Sequence, residues 1–255
     1  MPTFRITVAY DGTGLVGWQR QAHGDSVQGL LEAACAELNG DQAAVVGAGR
    51  TDAGVHALGQ AAAVTIARDI DARSFVAAMN FRLPAAIRVL TAVEVPATFH
   101  TRFDARSKTY RYRIWNGSVL NPFERAYVWH IPGPTLDADA MDAAARMLEG
   151  AHDFAAFQGS GSDTLTTERV VFSSRVHNAP PLVDTDATLI TYEVSGDGFL
   201  RYMVRTIVGT LVEVGRGSRR PEWVREVLQS RERARAGPTA PAEGLFLATV
   251  GYETP

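Results

Sequence analysis

The sequence predicts an α+β protein of two ferredoxin-like halves that share a continuous, mainly antiparallel sheet with helices on one face. Three observations carry this. The hydrophobic periodicities of roughly the first hundred residues run in the order β-α-β-β-α-β, which is the ferredoxin-like unit. The remainder reads in similar terms with larger insertions. No flexible linker separates the two, so the halves are expected at 1–105 and 106–255.

Each element has a local reason. Phe4, Ile6, Val8 and Tyr10 alternate with polar neighbours, as in a half-buried strand. Ser26 then opens a helix in which Val27, Leu30, Leu31, Ala34 and Leu38 follow the 3.6 period, and Gly40 stops it. Strands are expected at Ala43–Ala48, Gln60–Ile66 and Ile87–Val95, with a helix at Asp71–Phe81 presenting Phe75, Ala78 and Met79 on one face. In the second half, strands are expected at Lys108–Trp115, Tyr127–His130, Glu168–His177, Thr188–Ser195 and Leu245–Tyr252. Helices are expected at Asp137–Leu148, at Phe199–Val214 and from Pro221.

Composition removes several classes of function. With 255 residues, 46% hydrophobic and 21% charged, the chain can bury a large core and is not a disordered or fibrous sequence. No run of about 18 apolar residues occurs, and the N-terminus lacks a signal-peptide pattern, so the expected location is the cytoplasm. Cys35 is the single cysteine, in an apolar helical stretch, and reads as a core filler. The net charge of -3 argues mildly against a nucleic-acid partner, yet arginines gather in blocks at Arg102–Arg113, Arg201–Arg205, Arg216–Arg220 and Arg231–Arg235. Composition alone accounts for the last two blocks; the first two leave room for basic patches.

Two glycine-rich segments compete as sites. Gly12, Gly14 and Gly17 form G-x-G-x-x-G after a strand, but no amphipathic helix follows and the surrounding order is antiparallel, so dinucleotide binding is not expected. The expectation is a loop with an exposed Trp18-Gln19-Arg20 tip. The second segment, Gly47 to Gln60, joins two strands, carries four glycines and sets Asp52 between Arg50 and His56. It reads either as a ligand site or as a turn in which Asp52 caps backbone N–H groups.

The residues Gly49-Arg50-Thr51-Asp52-Ala53-Gly54-Val55-His56 resemble the signature of the tRNA pseudouridine synthase A family, and other blocks agree in order along nearly the whole chain. Phe99-His100-Thr101-Arg102-Phe103 is similar to the family's Phe-His-Ala-Arg-Phe segment and Tyr110-Arg111-Tyr112 to its Tyr-Arg-Tyr strand. Met203-Val204-Arg205 with Ile207-Val208-Gly209 is similar to its Met-Val-Arg-x-Ile-Val-Gly helix, and Ala240 to Leu245 also fits. One departure stands out. After His152-Asp153-Phe154 this chain has Ala155-Ala156-Phe157-Gln158 and then Gly159 to Asp163, where the family has a cation, so no RNA contact is assigned there.

The resemblance implies an isomerase that converts uridine to pseudouridine in the anticodon arm of tRNA, with the site in a central cleft, no cofactor, no metal and a homodimeric assembly. It makes Asp52 the catalytic carboxylate, attacking ribose C1′ or assisting elimination at the sugar. It sets Tyr110 against the target base, where core packing is the rival role, and Arg205 beside Asp52. A cation within about 4–6 Å would lower the carboxyl pKa by roughly 1–3 units and keep it charged when water is excluded. The rival role for Arg205 is docking its helix on a backbone carbonyl. Arg50 is the implied wedge that fills the space of a flipped-out base. Phe99, His100, Thr101, Arg102 and Phe103 form the implied RNA-contacting segment. Two other classes stay open: a catalytically silent RNA-binding module, and a metal-dependent phosphodiesterase using Asp52, His56 and His100.

Overall fold

The computed structural model describes residues 1–161, 164, 166–181 and 186–253; Ser162 and Asp163 of the departing loop lie outside these. In chain order the elements are β1 (Thr3–Tyr10), α1 (Val27–Asn39), β2 (Val45–Gly47), β3 (His56–Thr65), α2 (Ala72–Arg82) and β4 (Ile87–Val95). Next come β5 (Ser107–Asn116), β6 (Trp129–Ile131), α3 (Ala138–Arg146), β7 (Gly150–Asp153), β8 (Glu168–Ala179), β9 (Thr188–Gly196), α4 (Met203–Gly215), α5 (Trp223–Ser230) and β10 (Leu245–Gly251). The class is α+β. No helix among the described residues is long and apolar enough to cross a membrane.

The chain forms two compact units, one of Met1–Arg106 with the residues from Phe246 onward, the other of Ser107–Leu245. This differs from the expected halves at the C-terminal end. The residues after Phe246 belong with the first unit because β10 pairs in parallel with β3, Phe246 opposite His56 and Leu247 opposite Ala57.

In the first unit the strands lie in the order β4-β1-β3, antiparallel throughout, and β2 pairs with the far end of β3 at Val45–Val64. The alternating residues of β1 are all buried, and Phe4 stacks on Phe75 of α2 at 4.9 Å. Ser26 caps α1 by accepting the Gly29 N–H, and Gly40 ends it at φ 75, a left-handed conformation that costs glycine little. Cys35 is buried, and burial pushes its thiol up to about 12, so it packs as a protonated core side chain. β3 starts at His56 rather than the expected Gln60. The stretch His-Ala-Leu-Gly has little periodicity of its own, but β10 supplies its ladder, and a side chain at Gly59 would meet the Ala248 carbonyl oxygen at 2.6 Å.

In the second unit the order is β5-β9-β8-β7, with β6 parallel to β5. α4 is buried almost all round, which explains its near-continuous apolar sequence. It begins at Met203, later than the expected Phe199, because Tyr202 adopts φ 61 and the preceding residues form a turn, with the Met203 N–H on the Leu200 oxygen. The edge strand β7 was not foreseen. Gly-Ala-His-Asp has no alternation, and its extended form comes from pairing with β8.

Candidate active site

The segment carrying Asp52 joins β2 to β3 in the first unit, and the chain around it is shaped to hold it. The Tyr10 hydroxyl at the end of β1 lies 2.8 Å from Thr51 Oγ1 in a buried contact, and the Gln60 amide donates to the Gly49 carbonyl at 3.0 Å. The Trp18 N–H donates to the Thr51 carbonyl, the Gly54 N–H to that of Leu15, and the Val55 N–H to that of Asp52, closing a tight turn with Gly54 at φ 75. Within this frame Arg50 is exposed and Asp52 is half-buried.

The G-x-G-x-x-G segment turns out to support that loop. A Cβ at Gly17, where φ is 105, would meet the Thr51 oxygen at 2.6 Å, and one at Gly12 would run into the Val55 carbonyl. The glycines therefore let two stretches of backbone touch, and no helix begins until Val27. The expected exposed tip is corrected at its first residue: Trp18 is buried, with its ring against Gly47 and near Tyr10, while Gln19 and Arg20 are exposed. An indole this large gains more from burial than a loop tip could return.

The segment Phe99–Phe103 divides. Thr101 is fully buried; its hydroxyl donates to the Val46 carbonyl at 2.9 Å and its own carbonyl accepts from the Tyr252 hydroxyl. Phe99 packs on the Tyr252 ring at 5.2 Å. His100 Nδ1 accepts the backbone N–H groups of Arg102 and Phe103, and the His100 N–H donates to Asp104. That turn holds the exposed side chains of Arg102 and Phe103 outward, with the His100 and Phe103 rings 4.1 Å apart. The exposed cation thus lies beside a tilted pair of rings, groups of the kind that can meet phosphate and base.

Tyr110 and Arg205 lie in the second unit. Tyr110 on β5 is 8% exposed and meets the ring of Phe199 edge-on at 5.1 Å. Tyr112 is fully buried, and its hydroxyl donates to the Pro241 carbonyl at 2.8 Å. Burial, with Glu243 adding to it and Arg205 opposing, drives its pKa far above the ordinary phenol value, so it is a packed, protonated group. Arg205 on α4 donates from Nε to the Ala240 carbonyl at 2.7 Å, and its guanidinium sits 5.0 Å from the centre of the Tyr202 ring. The docking role considered for this arginine is thus present. It fixes the guanidinium between α4 and the 240–244 segment, whose Gly244 carbonyl also accepts the Arg113 N–H.

The two histidines of the metal-dependent reading, His56 and His100, make other contacts. His56 is 1% exposed, its ring stacks on Phe246 at 4.7 Å, and its Nδ1 accepts the Gly12 N–H at 3.0 Å. Asp11 Oδ1 lies 3.2 Å from the same nitrogen. Among the described residues no three His, Cys, Asp or Glu side chains converge as metal ligands. The supports at Tyr10, Gln60 and Trp18 escaped the sequence reading. Tyr10 alone carried a signal, a polar group at the end of an apolar strand, which periodicity scores as core.

The chain is similar to a family described as tRNA pseudouridine synthase over residues 6–104 and 144–253, which include Asp52 and Arg205 but not Tyr110. It is 46% identical over 254 residues to the tRNA pseudouridine synthase A of Moorella thermoacetica, covering 99% of this chain and 100% of that protein. It is 44% identical to the protein of the same name from Pelobacter propionicus (99% and 100% covered) and 43% identical to that from Myxococcus xanthus (99% and 92%). With most of its length matched and its Asp52 loop intact, the chain belongs to the tRNA pseudouridine synthase family.

Proposed function

We propose that this isomerase of the tRNA pseudouridine synthase family acts on uridines of the anticodon arm, with Asp52 as its catalytic carboxylate. The observation that carries the reading is the loop itself: a half-buried Asp52, two residues after an exposed Arg50, on backbone fixed from below by β1 and β3. In the reaction the N1–C1′ bond breaks, the uracil turns in the site and C5 joins C1′. The C5 hydrogen leaves as a proton and N1 gains one, so no oxidant and no leaving group are involved. Asp52 attacks C1′ or assists elimination at the sugar, and Arg50 takes the space the base leaves on flipping. Tyr110, which meets the Phe199 ring edge-on, and Arg205 are read as further catalytic residues, as the family resemblance implies.

Arg102 and Phe103 contact RNA directly, whereas Phe99 and Thr101 hold that turn in place and His100 serves both ends. We read the two units as ferredoxin-like halves, supported in the first by its strand order, and the protein as a homodimer in the cytoplasm, as the family resemblance implies. The test is tritium release from tRNA labelled at uridine C5, without added metal and with chelator present. Release by the wild type and none by Asp52→Asn, with tRNA affinity within about threefold, is the expected result. Equal release by the variant would remove Asp52 from the chemistry. Binding without release by the wild type would leave an RNA-binding module.

A further inference from the structure

We propose that Tyr10, with Gln60 beside it, is a positioning residue for catalysis: a buried polar strut that aims the Arg50–Asp52 segment through Thr51 and Gly49. The proposal rests on the reading of Asp52 as the catalytic carboxylate. Its geometry is independent of that reading. Tyr10 is 4% exposed, Thr51 8% and Gln60 0%, so the contacts among them are shielded from water. The phenol reaches Thr51 Oγ1 at 2.8 Å, and the Gln60 amide reaches the Gly49 carbonyl at 3.0 Å. The two anchors thus fall on the residues either side of Arg50, and Thr51 directly precedes Asp52.

Both supports come from rigid neighbours, since Tyr10 ends β1 and Gln60 lies within β3, paired to β1 at Val8. A site held from strands is more sharply placed than one held by loop contacts alone. The strut is also chemically constant. Burial raises the Tyr10 phenol well above its ordinary range, against the smaller opposing effect of its hydrogen bonds to Thr51 and Gln60, so it stays a neutral hydroxyl at any working pH. Gln60 Oε1 has no hydrogen-bond partner, which an apolar residue in this place would avoid. A polar group kept at that cost supplies direction, which an apolar contact lacks.

The test compares kcat and KM for tRNA by tritium release, alongside thermal unfolding. Tyr10→Phe keeps the ring and removes the hydroxyl; kcat is expected to fall about 10- to 100-fold, the scale of a small displacement at a reacting centre, with KM within about twofold. Thr51→Val should match it, Thr51→Ser should recover most of kcat, and the double variant Tyr10→Phe/Thr51→Val should be no worse than either single change. A kcat for Tyr10→Phe within about twofold of wild type overturns the proposal, as do losses that multiply in the double variant. If Tyr10→Phe does not fold, Thr51→Val against Thr51→Ser makes the same comparison. Asp52→Asn run in parallel separates the two readings: if it is active the site assignment fails, and if it is dead while Tyr10→Phe is fully active only the strut fails.

Discussion

Replacing Gly209 by Ala tests how closely α4 must approach the segment that holds Arg205. A Cβ at Gly209 would run into the Pro238 carbonyl, and one at Gly237 would sit 2.7 Å from the Gly209 backbone, so at this crossing two stretches of main chain touch. Neither side is a flexible side chain that can swing away. The 236–240 segment must therefore lift, at an overpacking cost of about 1–3 kcal/mol. Lifting it strains three hydrogen bonds: Arg205 Nε to the Ala240 carbonyl, the Ala240 N–H to the Arg205 carbonyl, and the Gly237 N–H to Thr210 Oγ1. Each is worth about 0.5–1.5 kcal/mol net. Alanine returns about 1 kcal/mol through its better helix propensity.

With the three hydrogen bonds counted as lost, the balance is about 1.5–6.5 kcal/mol of stability, or roughly 3–26 °C in Tm for a chain of this size. Thermal unfolding followed by circular dichroism measures it. Gly14→Ala is the reference, since the space around that residue is open and only its φ of 77 opposes a side chain; its loss should be the smaller. A Tm within about 2 °C of wild type for Gly209→Ala would refute the argument that main-chain contact fixes this segment.

Three further outcomes are expected. Arg50→Ala should slow isomerisation of folded tRNA more than that of a substrate whose target uridine is already unstacked, and equal slowing would remove the wedge role. Affinity for tRNA, measured by filter binding, should fall steadily as salt rises on the proposal that exposed arginines meet phosphate; a flat profile would contradict that. Asp153 has its carboxyl pKa lowered by hydrogen bonds from Thr167 and the Ala155 N–H and by Arg231 at 3.1 Å, against desolvation. A depressed carboxyl stabilises above its unfolded pKa and loses that contribution as pH falls through the folded value, so Asp153→Asn should destabilise at pH 7 and begin to converge with wild type only as pH falls below about 4. A gap unchanged at low pH would place the effect in packing.

Much of this was legible because periodicity and capping are local. Phe4 to Tyr10, the Ser26 cap and the Gly40 stop predicted β1 and α1 almost to the residue. What failed was set from a distance. β7 and the start of β3 owe their form to partner strands, and Trp18 is buried by Gly47 across the fold. At the site, the placing of Arg50 and Asp52 together on a glycine-rich connection between two strands could be read, whereas the different fates of Thr101 and Phe103 could not. Spacing is the same for an inward and an outward side chain in a turn, and only Val46 and Tyr252 decide between them.

The pairing of β10 with β3 bears on the order in which a ribosome delivers this protein. When Arg106 has emerged, most of the first unit is available, but His56 still lacks the ring of Phe246, Thr101 lacks the hydroxyl of Tyr252, and the Arg106 N–H lacks the carbonyl of Gly251. The Asp52 loop and the Phe99–Phe103 turn are thus finished by residues translated well over a hundred codons later. A nascent chain holds a sheet with an open edge until then, the kind of surface that chaperones cover and that other chains can pair with.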